Sequence, residues 1–141
     1  MAFVSTIARK LSKGKLITLL LLALLIFWYL TLPRVNVNYP NDGKYELRYI
    51  WNTQHRIDKG GILPGQGTVD IGHIFPDKSF FMRFDWWSKS GLRWCIDITP
   101  KWGKTLDIYL DEVGRIDTVK TAPDVIARLK QCKGESDPFE P

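Results

Sequence analysis

The feature that most constrains this chain is the run "LITLLLLALLIFWYLTL" at residues 16–32, which contains no charged residue and no proline. As a helix it extends roughly 26 Å, close to the hydrocarbon thickness of a bilayer. Phe27, Trp28 and Tyr29 stand at one end, where amphipathic rings favour the headgroup level, and Pro33 stops the helix. Leu16, Leu20, Leu24, Phe27, Trp28 and Tyr29 are therefore the expected membrane contacts. A cleaved signal peptide would place small residues just before its cleavage site. Trp28 to Pro33 offers none, and a lipoprotein signal would need a cysteine there, whereas the first cysteine is Cys95. The run is expected to be an uncleaved signal-anchor.

Charge sets the orientation. Arg9, Lys10, Lys13 and Lys15 precede the span, and only Arg34 follows it closely. The positive-inside rule then makes residues 1–15 a basic cytoplasmic tail. The expected placement is an inner membrane with the C-terminal part in the periplasm. The formal net charge of +5 is mostly this tail: outside it, sixteen Lys and Arg face fifteen Asp and Glu. A nucleic-acid-binding domain carries its basic stripe on the folded part, so no nucleic acid is expected as a partner.

Two cysteines outside the cytosol suit a disulfide between Cys95 and Cys132, which would contribute about 4 kcal/mol in the chain-entropy account. Neither belongs to a CxxC pair, and His55 and His73 are isolated, so no metal and no cofactor is expected.

Residues 33–44, "PRVNVNYPNDGK", read as a proline- and asparagine-rich linker. Residues 45–134 read as a small α+β domain, and 135–141 as a disordered tail. Tyr45, Leu47, Tyr49 and Trp51 alternate with polar residues as in a half-buried strand. "DKGGILPGQG" reads as a glycine-rich loop before a short strand at Thr68–Ile71. Phe80, Met82, Phe84 and Trp86 form one strand face, and Leu92, Trp94, Ile96 and Ile98 another. Leu106, Ile108 and Leu110, then Ile116, continue the alternation. Short turns at "WSKSG", "PKWG" and "DEVG", each with a glycine suited to positive φ, predict an antiparallel meander of three hairpins. The expected register sets Trp86 opposite Leu92, Phe84 opposite Trp94 and Asp85 opposite Arg93. In the second hairpin Asp97 is expected opposite Thr105. Thr121, Pro123 and Asp124 open a predicted C-terminal helix whose Val125, Leu129 and Cys132 share one side. That helix would cover the face of Cys95, and the Tyr45–Trp51 strand with the glycine loop would cover the aromatic face.

Catalytic signatures are absent: there is no GxSxG elbow and no HExxH. Asp70, His73 and Asp77 could be assembled into an acid/base site, but no nucleophile or second base accompanies them. Periodicity places Trp51, Trp86 and Trp94 in the core. Trp87 and Trp102, each beside a lysine on a short turn (Lys89 and Lys101), are the candidate contacts for another protein on the extracytoplasmic side. The expected function is a non-enzymatic, membrane-anchored protein-binding module, of inhibitor, immunity or accessory-subunit type. The alternative is an envelope glycan-binding or glycan-cleaving domain using the same tryptophans.

Overall fold

The structure is a computed structural model that describes residues 12–139. Arg9 and Lys10 of the basic tail, and the last two residues, lie outside the described residues.

Helix α1 covers Lys13–Thr31, 19 residues. Its leucines, isoleucines and aromatic residues are exposed on every side, including Leu16, Leu20, Leu24, Phe27, Trp28 and Tyr29. It is long and apolar enough to cross a membrane. Thr31 turns its hydroxyl back to the Phe27 carbonyl oxygen (2.8 Å), so the last turn carries no unmet hydroxyl.

The second compact unit begins at Leu32. Its strands are β1 (Arg34–Asn38), β2 (Leu47–Thr53), β3 (Arg56–Ile62), β4 (Gly67–Ile71), β5 (Met82–Ser88), β6 (Arg93–Ile98), β7 (Thr105–Tyr109) and β8 (Leu129–Gln131). They form two sheets: a mixed one in the order β4-β1-β7, and an antiparallel one in the order β3-β2-β5-β6-β8. The apolar faces of both sheets meet in one cluster. Val35, Val37, Leu106 and Ile108 come from the first sheet, and Leu47, Trp51, Phe84, Trp86, Trp94 and Ile96 from the second. Trp51, Trp86 and Trp94 are at most 1% exposed, as the period-two pattern requires. An α+β chain with an N-terminal apolar helix is thus observed, but the sheets are arranged differently from the expected meander.

Four differences have identifiable causes. First, 33–44 is not merely a linker. "RVNVN" alternates valine and asparagine, and β1 lies between β4 (antiparallel) and β7 (parallel) with Val35 and Val37 fully buried. Second, β6 does not pair with β7. Pro100 and the turn closed by Lys104 N–H on the Lys101 carbonyl (3.1 Å) carry the chain into the other sheet, so Asp97 never faces Thr105. The edge of β6 is taken by β8.

Third, the C-terminal helix shrinks to α2, Pro123–Ile126. The hydroxyl of Thr121, expected as its cap, instead accepts the Tyr109 amide (3.0 Å). Leu129–Gln131 pairs with Ile96–Ile98, since a bare strand edge outweighs a weak helix propensity. Fourth, the glycine-rich segment is partly strand: Asp58–Ile62 belongs to β3, and β2 joins the aromatic sheet beside β5 instead of covering it. The cover on the aromatic face is the three-stranded sheet. "RIDTV" forms no strand beyond a single Leu110–Ile116 bridge. Residues 135–139 of the expected disordered tail are ordered, with Pro138 accepting the Ile116 amide (2.9 Å) and Phe139 packed on the core.

The β5–β6 register keeps the expected faces but is shifted. Trp86 faces Trp94, Phe84 faces Ile96, and Trp87 faces Arg93. Ser88 and Leu92 close the hairpin (3.0 Å), and Gly91 supplies the positive φ of 89°. This shorter turn adds a rung and sets Arg83 directly opposite Asp97, bonded twice at 2.8 and 3.2 Å. Asp85 still meets Arg93, now on the diagonal, at 3.3 Å.

Cys95 and Cys132 form the disulfide, with Cα atoms 5.4 Å apart, and the Cys132 amide donates to the Cys95 carbonyl (3.1 Å). It ties β6 to the residue after β8, not to a helix.

Candidate functional site

The four residues singled out from the sequence separate into two pairs. Trp87 is not on a turn: it lies in β5 on the outer face of the five-stranded sheet and is half-buried. Lys89 follows at the apex of the β5–β6 turn, its side chain 82% exposed and 3.9 Å from Glu46. Trp102 and Lys101 occupy the loop between β6 and β7, which follows Ile98 at the other end of β6. Arg93 to Ile98 spans about 17 Å of extended chain, so Trp87 and Trp102 belong to different surfaces. The structure does not bring them together.

What surrounds Trp87 is more informative. Pairing places Arg48 of β2 on one side of it and Arg93 of β6 on the other. A row Arg48–Trp87–Arg93 therefore crosses three strands on the solvent face. The Arg93 guanidinium lies 5.9 Å from the indole centre, within reach of its π face. Asp85 (3.3 Å) holds Arg93, and Glu46 (3.3 Å) holds Arg48, which orients both guanidinium groups without burying them. Two open grooves share Ile50 and Trp87. One, of about 410 Å³, runs to Arg48, Lys59 and Gly60, and the other, of about 240 Å³, runs to Ser88, Gly91 and Arg93. Arg48, Lys59, Lys89 and Arg93 outnumber Glu46 and Asp85 around the indole. The face is thus aromatic, shallowly concave and net positive.

Sequence reasoning missed Arg48, Ile50, Lys59 and Arg93. Ile50 was the available signal: in "LRYIWNT" it is an apolar residue on the polar side of an alternating strand.

The acid/base triplet does not assemble. Asp70 is 8% exposed, its carboxylate accepting from the Thr53 hydroxyl and from Arg56 (2.7 Å), which ties β4 to β2 and β3. The His73 ring packs on Phe80, 5.0 Å between centres. Asp77 accepts the Ser79 hydroxyl (2.7 Å) and amide (2.9 Å), and these bonds hold its carboxyl below the usual carboxylate range. Among the described residues no three His, Cys, Asp or Glu side chains cluster to hold a metal ion.

The chain matches no protein-family model, no curated protein and no solved structure. An N-terminal apolar helix of signal or anchor type, followed by a disulfide-bonded domain, marks a secreted or membrane-anchored extracytoplasmic protein.

Proposed function

We propose that this chain is a single-pass, membrane-anchored binding module that holds another protein on the extracytoplasmic side of an inner membrane, without catalysis. The observation that carries this reading is the Arg48–Trp87–Arg93 row with Ile50 beside it. Tryptophan and arginine are the residues that most often dominate protein interfaces: the indole buries a large rigid surface, and the planar guanidinium makes several directed hydrogen bonds and stacks on aromatic faces. The preponderance of cations suits a partner that presents acidic groups. An inhibitor or immunity protein, or an accessory subunit of a membrane complex, uses such a face, and anchoring concentrates it at the membrane surface.

A photoreactive amino acid placed at Trp87 in the full chain tests this. It should form one discrete adduct with a protein partner, lost when Arg48 and Arg93 are both changed to Glu, while the same probe at Thr118 forms none. Equal labelling from both positions would reject the site.

A glycan-binding reading rests on the two grooves flanking the indole, since sugars stack on exposed tryptophan faces. Saturable quenching of tryptophan emission by peptidoglycan fragments, abolished in Trp87→Ala, would favour it over a protein partner.

A further inference from the structure

The end of the sandwich at which β1 starts carries a second, chemically different surface. The Gly72 amide donates to the Pro33 carbonyl (2.9 Å), and the Arg34 amide donates to the Lys104 carbonyl (3.1 Å). Pro33 and Pro100 both lie against Gly72, so closely that a Cβ there would come within 3.1 Å of each. Two loops, 72–81 and 99–104, therefore converge beside Pro33. They expose Phe75 (83%), Phe81 (44%) and Trp102 (54%).

The charge at this end is positive. Arg34, Arg56, Lys78, Lys101, Lys104 and Arg128 stand against Asp70, Asp77 and Asp124. Of these acids Asp70 is buried on Arg56 and Asp124 is taken up by Lys104 (3.3 Å). Lys78 and Lys101 make no ion pair among the described residues. The loops at the other end, 40–46, 63–66, 88–92, 110–120 and 132–139, carry five Lys and Arg against seven Asp and Glu.

Only Leu32 and Pro33 separate the last residue of α1 from the first of β1. Three steps of extended chain reach at most ~11 Å, so Arg34 cannot stand far from wherever the apolar helix ends. Exposed aromatic rings interleaved with unpaired lysines, tethered this closely to an apolar span, have the composition that settles into the headgroup layer of a bilayer.

We infer that the loops 72–81 and 99–104 form a lipid-contact surface, with Phe75, Phe81 and Trp102 entering the headgroup layer and Lys78 and Lys101 meeting anionic lipid phosphates. This inference rests on α1 being a retained anchor.

The test uses the full chain in vesicles of phosphatidylcholine and phosphatidylglycerol containing a headgroup-spin-labelled lipid, in a Trp28→Phe background that removes the indole of α1. The spin label should quench part of the tryptophan emission. Adding Trp102→Phe should reduce that quenching at least two-fold, Trp87→Phe should leave it unchanged, and K78E together with K101E should reduce it. Quenching that does not depend on Trp102 overturns the lipid contact. Alkaline extraction of the same vesicles separates the two readings: protein retained in the bilayer with Trp102-independent quenching defeats the contact alone, whereas protein released by alkali defeats the anchor and the contact together.

Discussion

The two ends of the β-sandwich each carry a tryptophan near a lysine, yet they are built for different surroundings. At the Ser88 end, Trp87 is set into a strand and flanked by two oriented guanidinium groups, and the loops are slightly acidic. At the Pro33 end, Trp102 rides on a loop beside Gly103 (φ 68°), with exposed phenylalanines and unpaired lysines nearby. A tryptophan fixed on a sheet recognises one shape, because its rotamer is held before contact. One on a loop suits a fluid layer that imposes no shape. Two similar tryptophan–lysine signals in the sequence thus sit in different surroundings.

The largest effect should come from the disulfide. Replacing Cys95 and Cys132 together by alanine should lower the unfolding free energy by about 4 kcal/mol in urea titrations. The bond keeps β8 on β6, where Thr99 N–H donates to the Arg128 carbonyl at 2.9 Å. Amide exchange should therefore rise first in 129–136, the stretch the bond holds against β6, and then in 99–104, while the 88–92 hairpin keeps its protection. Equal loss of protection at both ends would remove the distinction.

Next come the polar ties at each end. Asp70→Ala removes the acceptor for Thr53 and Arg56 and should cost about 2–3 kcal/mol, because the groups left behind are partly buried. At the other end, Trp86 Nε1–H donates to the Gly114 carbonyl at 2.7 Å, and Trp86→Phe should cost about 1–2 kcal/mol. The first variant should loosen 53–56 and 71–81, and the second 111–116. Thermal unfolding with residue-resolved exchange would show both. The reverse order of costs would mean that the Trp86–Gly114 tie at the Ser88 end carries more of the stability than the Asp70 tie at the Pro33 end.

Replacing half-buried Trp87 should cost the fold about 1–2 kcal/mol and replacing exposed Trp102 less than about 1 kcal/mol, and the two still separate the surfaces. Trp87→Ala should weaken a protein partner roughly 10- to 100-fold, the range of a central aromatic contact. Trp102→Ala should change that affinity by less than about two-fold, since Trp102 follows the far end of β6, a strand about 17 Å long. Equal losses, read by titration calorimetry, would join the two ends into one interface.

The fold was legible where side-chain period alone decides burial, and illegible where pairing partners do. Trp51, Trp86 and Trp94 alternate with polar neighbours, and that pattern names the inner face whatever strand lies alongside. The glycines of the turns were equally clear: Gly91, Gly103 and Gly114 all have positive φ. Local pattern could not say that "PKWGK" crosses between sheets, because a tight turn looks the same whether it closes a hairpin or an arch. Val35 and Val37 were hidden by the asparagines between them, and Leu129–Gln131 by a helix pattern that fails only because β6 has an open edge. The site was half legible for the same reason. Trp87 stood out by residue type, but Arg48 and Arg93 join it through pairing across two neighbouring strands, which no single strand's pattern contains.

The smallest expected effect is also the sharpest comparison, because pH should act on the two ends in opposite directions. At the Pro33 end, hydrogen bonds from Ser79 hold the Asp77 carboxyl below its ordinary range, and Lys104 does the same for Asp124. A depressed folded value means that stability is present above the unfolded value, near pH ~4, and is lost as pH falls through the folded value. At the Ser88 end, the hydrogen bond to Glu112 (2.7 Å) raises the Lys44 ammonium above its ordinary value. That contribution is complete below the unfolded value, near pH ~10, and disappears as pH rises through the folded one. All three groups are exposed, so salt should weaken each effect. Lowering pH should therefore move the amide shift of Ser79, and raising pH that of Lys44. Asp77→Asn should erase the acid response at Ser79 and leave that of Lys44 intact. A single transition shared by both ends would show instead that they are coupled through the core.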